Sequence, residues 1–229
     1  MSILDDVNQQ AREKPTKEEV EAFLGKWGIK NFTIRDNGMV DVHEDVELDG
    51  WEGKTYPFKF GKIDGCFLSP DVGLETLENG PEEVDENFFV FFNKLSSLVG
   101  MPKRIGGACC IDKNPFSSLE GITPDIGGDL SIQKCPNLHS LHGIRVVKKF
   151  AYDETASGEI TTTETPINDS VLGLFRVGTG SNKGGLKKVD MMNKDLEKIL
   201  NQFLVEGERE PLMCQEALIA AGFVNEAKM

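Results

Sequence analysis

Cysteine and histidine side chains near the middle of the chain are the residue types best suited to hold a metal ion. Cys135, His139 and His142 lie close together, and Cys109 and Cys110 precede them. A structural zinc site uses Cys and His pairs at short, defined spacings. The chain has no Cys-x-x-Cys, and the spacing of these residues matches no standard zinc module. We therefore predict no metal site.

A glycine-rich loop, Gly178 to Gly185, is the second place where chemistry is conceivable. A phosphate-binding loop has the pattern Gly-x-x-x-x-Gly-Lys-Ser/Thr, in which backbone amides surround the phosphate. Here Lys183 precedes its glycines and no Ser or Thr follows them, so we interpret the loop as a flexible connection. The sequence also shows no nucleophile elbow and no recurrent pair of acids. We expect no catalytic residue, no cofactor and no enzymatic activity.

A 21-residue repeat organises these segments. A fixed period of this length is typical of a solenoid, in which each copy forms one coil. Apolar residues begin the successive copies at Val42, Ile63, Val84, Ile105 and Ile126. Cys135 lies one full period after Asn114. This register assigns Cys135 to the interior of a coil and argues against its use as a metal ligand.

Each copy then contains two mostly apolar residues separated by one position, which predicts a short strand. The two side chains point to one side of the strand and the residue between them points to the other. The pairs are Val46/Leu48, Phe67/Ser69, Phe88/Val90, Cys109/Ile111 and Leu130/Ile132. Asn93 and Asn114 follow at the next turn, where a buried Asn is expected to hydrogen-bond the backbone of neighbouring coils.

The whole template, apolar-x-apolar-x-x-Asn/Cys-x-apolar-x-Ser-Leu, resembles the leucine-rich repeat. The form Pro-x-x-Ile/Val-Gly-Gly…Asn-x-Leu-x-Ser-Leu-x-Gly is more narrowly similar to the leucine-rich-repeat-like proteins of tailed bacteriophages. The resemblance covers residues 42–152 well and the carboxy-terminal part more loosely. It implies a solenoid fold and a viral origin. It transfers no catalytic residue, because the family pattern contains none.

We predict an α/β solenoid with one short, leucine-rich-repeat-like parallel sheet of about five to seven coils and helical caps at both ends. Thr16 and Glu19 form a capping box that begins the first helix, and Asn37-Gly38 predicts a hairpin. Asn193 and Pro211 begin two helices at the far end. We assign residues 1–38 to the amino-terminal cap and lead-in hairpin and residues 39–152 to the solenoid. Residues 153–229 are assigned to a polar excursion, the last strands and the carboxy-terminal cap.

The period loosens after Leu141, and the predictions there rest on residue types. Val146, Phe150 and Tyr152 are expected to form one more strand, because each lies one position short of a full period after Ile126, Leu130 and Ile132, respectively. We expect residues 153–170, which are polar and rich in Thr, to be an excursion or a hairpin. The segments 172–177 and 185–190 are expected to be strands.

Composition and charge limit the classes of partner. The net charge is −13, and residues 34–90 hold 15 acidic and 4 basic residues. Such a surface repels phosphate backbones, which argues against direct binding of nucleic acid. No apolar run approaches the ~18 residues of a membrane helix, and acidic residues follow Met1 where a signal peptide is basic, so we expect neither a membrane span nor export.

The stretch from Phe88 to Phe92 is the feature that the repeat does not explain. The register places Phe88 and Val90 inside, so Phe89 and Phe91 are expected to project outward with Phe92 at the edge. Leu68 and Asp112 occupy outward positions in the adjacent copies. Exposed aromatic residues are typical of binding hot spots. The alternative is that the amino-terminal segment or residues 153–170 cover these rings.

We therefore expect a non-enzymatic protein-binding module whose partner-binding residues are Phe89, Phe91, Phe92, Leu68 and Asp112. One hypothesis is a factor in the host cytoplasm that binds a host protein, and the alternative is a structural or decoration component of the virion. A third hypothesis is that the acidic half imitates nucleic acid and inhibits a DNA-binding protein. The sequence assigns no oligomeric state.

Overall fold

Each 21-residue repeat folds into one coil. Each coil adds one strand to each of two sheets, and the strands within a sheet run parallel to their neighbours from coil to coil. The structure is a computed structural model that describes residues 14–151, 157–178, 185–206 and 209–229. The protein is a parallel-sheet β-solenoid of about five coils with few helices. The prediction of a single sheet was wrong, because the residues that begin each copy, such as Val84 and Ile105, form strands of a second sheet.

The strands of the described residues are short and alternate between the two sheets along the repeats. They are β1 Phe32–Ile34, β2 Val40–Val42, β3 Val46–Glu47, β4 Phe60–Ile63, β5 Phe67–Leu68, β6 Glu83–Val84, β7 Phe88–Phe89, β8 Arg104–Ile105, β9 Cys109–Cys110, β10 Asp125–Ile126, β11 Leu130–Ser131, β12 Lys149–Phe150, β13 Glu159–Thr162 and β14 Lys188–Met191. Sheet A has the order β1-β2-β4-β6-β8-β10-β12, and sheet B has the order β3-β5-β7-β9-β11-β13-β14. All neighbours are parallel except β1 and β2, which form the predicted antiparallel hairpin around Asn37-Gly38.

Inward-facing side chains of both sheets join one hydrophobic core. In sheet B the five predicted inward pairs are all buried, including the polar Ser69. Ser69 keeps its hydrogen bond inside the core, since its Oγ lies 2.7 Å from the hydroxyl of the fully buried Tyr56. The period-two alternation of each strand therefore separates core from surface as the sequence indicates.

Asn93 and Asn114 connect successive coils through the hydrogen bonds expected for them. The side-chain oxygen of Asn93 accepts from the backbone N–H groups of Val72 and Leu74, both at 3.1 Å. The side-chain oxygen of Asn114 accepts from the N–H of Leu95 at 3.1 Å. Both residues are buried, and these bonds satisfy backbone groups that would otherwise be costly to bury.

Three α-helices lie outside the coils in the described residues: α1 Lys17–Leu24, α2 Lys194–Asn201 and α3 Pro211–Ala220. Thr16 forms the predicted capping box with Glu19, and Asn193 accepts from two amides at the start of α2. Helix α1 begins directly after Thr16, as the capping box predicts, and residues 1–13 lie outside the described residues. None of the described helices has the length and apolar character that a membrane crossing demands.

The aromatic side chains of α1 pack against the first coil. Phe23 contacts Trp51 and Phe58 with ring centroids 5.9 and 5.3 Å apart, nearly perpendicular in both cases. Val20 and Leu24 on the same side of α1 are fully buried. At the other end, α2 packs on β14, and α3 contacts α2 and the 3₁₀ helix Leu172–Arg176.

The predictions beyond Leu141 need correction because the coil there is longer than the preceding ones. Ile126 pairs with Phe150, so Val146 does not take the strand position and lies 41% exposed in a 3₁₀ turn. Tyr152 lies outside the described residues. The described part of 153–170 is no excursion, because β13 joins sheet B with Leu130 opposite Ile160.

Of the two later segments expected to be strands, one is confirmed. Residues 188–191 form β14, which pairs with β13 in parallel register. Residues 172–176 instead form a 3₁₀ helix that packs against the equivalent 3₁₀ helix, His142–Val146, of the preceding coil. Leu141 and Val171 lead into these two helices at equivalent places in their coils.

Candidate protein-binding face

Four side chains on the outer side of sheet B form a surface that we call the aromatic face: Leu68, Phe89, Phe91 and Phe92. Leu68 and Phe89 are direct partners across β5 and β7. Alternation with the fully buried Phe88 directs Phe89 outward. Leu68, Phe89 and Phe91 are half-buried and Phe92 is 52% exposed, so less ring area is open to solvent than fully projecting rings would offer.

Phe92 adopts a left-handed backbone conformation, with φ +59°. The same corner of the neighbouring coils has Asp71 at φ +52° and Lys113 at φ +53°. A bulky residue is an uncommon choice for this region of backbone space. The ammonium of Lys113 lies 5.0 Å from the centroid of the Phe92 ring, a cation–π contact on the surface.

Asp112 belongs to the polar end of the same sheet face. Its carboxylate accepts from Ser131 Oγ at 3.0 Å and from the backbone N–H of Gln133 at 2.7 Å. Gln133 in turn donates to Ser131 and accepts from Thr163. The outer face of sheet B therefore changes from apolar to hydrogen-bonded polar along the solenoid, and Asp112 marks the boundary.

A shallow cavity of about 220 Å³ crosses this boundary, between Phe89 and Cys110 on one side and Ser131 and Thr161 on the other. Burial raises the pKa of the Cys110 thiol to about 12, so the thiol is protonated at neutral pH. A protonated thiol is a weak nucleophile. The cavity therefore offers shape and apolar contact rather than a reactive group.

Exposed carboxylates surround the aromatic face. Glu47 is the partner of Leu68 on the next strand, and Asp71 lies at the corner where its N–H donates to Phe91 O at 3.1 Å. Glu86 precedes β7 and is also exposed. An apolar centre with an acidic edge is complementary to an apolar surface with basic residues at its rim.

The described part of the chain does not fold over the aromatic face. Residues 157–170 enter sheet B beside β11, two strand positions beyond β9, and thus extend the sheet. Helix α1 packs on Trp51 and Phe58 at the opposite end. The remaining segments considered as covers, residues 1–13 and 153–156, lie outside the described residues.

The cysteines and histidines considered as zinc ligands are not brought together in the described structure. Cys135 is buried in the core, where its N–H donates to Thr165 Oγ1 at 3.1 Å. His139 lies 3.0 Å from the carbonyl of Pro166, and His142 contacts Arg145. Of the glycine loop, only Gly178 and Gly185 fall among the described residues.

The structure assembles a different group of donor atoms, from Asp45, Cys66 and Glu86, that lie within 4.8 Å of one another. Cys66 Sγ donates to Glu86 at 3.3 Å and its backbone N–H donates to Asp45 at 2.7 Å. Burial raises the pKa of the Cys66 thiol, whereas a metal needs the thiolate. The hydrogen bonds account for the group, and we assign no metal to it.

Thr33, His43 and Asp64 form a hydrogen-bonded relay that the sequence did not reveal. Thr33 Oγ1 lies 2.9 Å from His43 Nε2, and His43 Nδ1 lies 2.8 Å from Asp64 Oδ2. The order resembles a nucleophile, base and orienting acid. However, Thr33 is exposed, and the His43 and Asp64 side chains are 37% and 38% exposed. Catalytic groups of this kind act in sites from which water is excluded, and these side chains are open to water. We therefore interpret the hydrogen bonds of the three residues as a connection between the hairpin and the next coil.

The outer row of sheet A is a second feature that sequence reasoning missed. It alternates in charge from coil to coil, in the order Asp41, Lys62, Glu83, Arg104, Asp125 and Lys149. Lys62 Nζ lies 2.6 Å from Asp85, and Lys149 Nζ lies 3.2 Å from Asp125. The regular spacing of opposite charges is present in the sequence. It predicts neighbouring charges only once these residues are known to lie on adjacent strands.

The outer faces of the two sheets therefore differ in the side chains that they expose to solvent. Charged side chains of the sheet A row form ion pairs with nearby carboxylates, whereas the middle of sheet B carries apolar side chains with solvent on their outer side. The comparisons with protein families, with curated proteins and with solved structures gave no match to this chain.

Proposed function

We propose that the protein is a non-enzymatic interaction module that binds another protein through the aromatic face of sheet B. The observation that carries this proposal is Phe92, an aromatic side chain that is 52% exposed. Its backbone is in the left-handed conformation, which small or polar residues adopt more readily than a bulky one. Its ring adds little to the core. A partner that covers it would turn an exposed apolar ring into a buried anchor.

Burial of the exposed ring surface supplies the binding energy at this face. Covering roughly 150 Å² of ring surface contributes about 4 kcal/mol at ~25 cal/mol per Å². This amount is enough for the aromatic face to act as the centre of an interface, but not to hold a partner without further contacts. The acidic edge supplies the second element, because it favours a partner with basic residues around its apolar contact.

We further propose that the protein is leucine-rich-repeat-like and of bacteriophage origin, as the repeat template suggests, and that α1 at one end and α2 with α3 at the other act as helical caps. Caps would shield the core of the terminal coils from water. The partner is then a host protein in the infected cytoplasm. The second candidate is a virion component, with a capsid or tail subunit as partner.

The test is affinity purification from the cells in which the protein acts, with the double variant Phe89→Ser/Phe91→Ser beside the unaltered protein. Val99→Ser is the matched control, since Val99 is a 63% exposed apolar residue elsewhere on the coils. We expect the double variant to lose its partner by at least tenfold and the control to retain it. A partner retained by the double variant and also by Phe92→Gly would remove the aromatic face from the proposal.

Two further measurements distinguish the alternatives. A mass-spectrometric inventory of purified virions separates the two locations, because abundance in particles excludes a purely host-directed factor. Binding by the acidic surface as a nucleic-acid mimic predicts affinity that falls steeply with salt. Affinity that is insensitive to salt but lost in the double variant supports the aromatic face instead.

A further inference from the structure

A cavity of about 510 Å³ lies at the amino-terminal end, between α1, the turn of the β1–β2 hairpin and the end of the first coil. Phe23 and Phe58 form part of its wall and pack edge to face, with centroids 5.3 Å apart. Lys14 and Lys59 line it as well. The volume falls in the range of small-molecule sites, and an apolar wall with few polar groups is their usual lining.

Lys59 occupies a position that later coils give to apolar or small residues. The residues at successive 21-residue steps are Gly80, Met101 and Ile122, of which Met101 and Ile122 are buried. Lys59 is half-buried, and this burial lowers the pKa of its ammonium group. The solenoid core thus does not require a cation at this position, and placing one there is unfavourable without a partner.

The charge of Lys59 is not neutralised by an ion pair among the described residues. Its Nζ donates to the carbonyl of Gly80 at 2.6 Å. The three other basic residues between positions 34 and 90 each have a carboxylate within 2.9 Å: Arg35 has Asp41, Lys54 has Glu75 and Lys62 has Asp85. In a region with 15 acidic residues, the one cation without an ion pair is the one that lines a cavity.

Glu82 is the carboxylate that acts on Lys59 from a distance. Its charge favours the protonated form of Lys59, but burial has the larger effect on the pKa. The Glu82 carboxylate is bonded to Arg35 at 3.2 Å and to Lys103 at 3.1 Å. Because two other cations already hold Glu82, it does not supply Lys59 with a contact partner.

The other polar groups of the wall are compatible with an anion. Lys14 donates to the backbone carbonyl of Asp36. Among the described residues, Lys14 forms no ion pair with a carboxylate. The lining carboxylate, Glu19, accepts from the Thr16 N–H at 2.8 Å and is occupied by the capping box. Two lysines against one glutamate leave an excess of one positive charge around the cavity.

We propose that this cavity binds a small organic anion with a flat apolar body and one carboxylate. The carboxylate interacts with Lys59 and Lys14, and the apolar body packs against Phe23 and Phe58. A charge-assisted hydrogen bond in this half-buried place restores the solvation that Lys59 loses on folding. The site lies apart from the aromatic face, so the proposal is independent of the protein-binding function.

The experiment compares 2-naphthoate with its neutral analogue 2-naphthalenemethanol on the full chain, by isothermal titration calorimetry and by amide chemical shifts. We expect the acid to bind at least tenfold more tightly and to shift the amides of Phe23, Phe58 and Asn79, which line the cavity. Lys59→Met is expected to reduce acid binding to that of the alcohol, and Lys59→Arg to retain most of the preference.

Two controls separate this site from other surfaces. Lys94→Met removes an exposed lysine elsewhere, and Phe89→Ser/Phe91→Ser removes the aromatic face; both are expected to leave naphthoate binding unchanged. Equal affinities for acid and alcohol, shifts confined to sheet B, or no binding of either compound would overturn the proposal. If Lys59→Met does not fold, Lys59→Arg and the comparison of the two ligands still decide it.

Discussion

At the corner that follows each of the strands β3, β5, β7, β9 and β11, one residue per coil has a positive φ, and the type of its side chain varies. The corner holds Gly50 at φ +69°, Asp71 at +52°, Phe92 at +59°, Lys113 at +53° and Lys134 at +55°. The backbone path of the coil sets this conformation, whatever the residue. A left-handed conformation costs a residue with a Cβ roughly 1–2 kcal/mol, which makes glycine the neutral reference.

Phe92→Gly is therefore expected to separate stability from binding. Relief of ~1–2 kcal/mol of backbone strain is opposed by ~1 kcal/mol of added chain entropy and ~0.5 kcal/mol from the lost contact with Lys113. The free energy of unfolding should change by less than about 0.5 kcal/mol, whereas partner affinity falls at least tenfold. Urea unfolding and titration of the purified partner measure the two quantities.

Lys134→Gly is the matched control, because it makes the same change at the equivalent corner two coils further on, away from the aromatic face. We expect it to leave partner affinity unchanged and to change the free energy of unfolding by less than about 1 kcal/mol, since its exposed ion pair with Glu164 is worth little. If Phe92→Gly destabilises the protein by more than about 2 kcal/mol, Phe92 has a structural role and its exposure does not indicate a binding anchor.

At the scale of the strands, the alternating charges of sheet A specify which coils can stack. Lys62 stands opposite Glu83, and Glu83 stands opposite Arg104. A slip by one coil would place like charges side by side, which is destabilising in neighbouring strands. Individual exposed pairs are each worth ~0.2–1 kcal/mol, so the row acts through its number of pairs.

Lys62→Glu is expected to destabilise the protein by about 1–2 kcal/mol at low salt, because it replaces two ion pairs with repulsion from Asp64 and Asp85. Lys62→Gln, which loses the attraction but adds no repulsion, should cost about half as much. Urea unfolding at low and high salt provides the measurement. The difference between the two variants should shrink at high salt, and a difference independent of salt would show that packing, not charge, causes the effect.

At the scale of the whole molecule, the core retains protons that the unfolded chain would release in alkali. Burial raises the thiol pKa of every cysteine above the ordinary value of 9.0: Cys66, Cys109, Cys110, Cys135 and Cys214. Tyr56 is fully buried, and its pKa is raised above 10.0 for the same reason. Ionisation of Cys109, Cys135, Cys214 or Tyr56 would place an anion in the apolar interior, and the half-buried Cys66 and Cys110 lose solvation in the same direction.

Stability is therefore expected to fall as the pH rises above about 9. The folded pKa values lie above the unfolded ones, so the folded state binds more protons in this range and the stabilisation is complete only below the unfolded pKa. Each such group lowers the free energy of unfolding by up to ~1.4 kcal/mol per pH unit. Urea unfolding under reducing conditions between pH 8 and 10.5 measures the slope.

Cys214→Ala removes one titrating group and should make this slope shallower, because the pKa of its buried thiol is raised to about 11. The difference between the slopes of the unaltered protein and the variant is the contribution of the buried Cys214 thiol. The slope that remains in the variant comes from the other ionising groups. A slope that is flat between pH 8 and 10.5 in the unaltered protein would contradict the raised thiol pKa values.

Much of the regular part of the molecule could be predicted from residue spacing. The inward placement of Phe88 and Val90, the hydrogen bonds of Asn93 and the capping box of Thr16 all follow from patterns that are local or repeat at a fixed period.

The coil after Leu141 could not be predicted. Its strands pair at separations longer than the repeat period, since Ile126 lies opposite Phe150 and Leu130 lies opposite Ile160. An inserted length of chain shifts the register of everything that follows it, and it leaves no periodic mark of its own in the sequence.

The amino-acid sequence was sufficient to specify the solenoid period, the core residues of the regular coils and the outward direction of Phe89, because alternation along a strand is a local property of the backbone. The second sheet, the charge row of sheet A and the cavity that places Lys59 near Phe23 became visible only in three dimensions. Each depends on hydrogen bonds and packing between segments far apart in the chain, and no local pattern of residue types records which segments will meet.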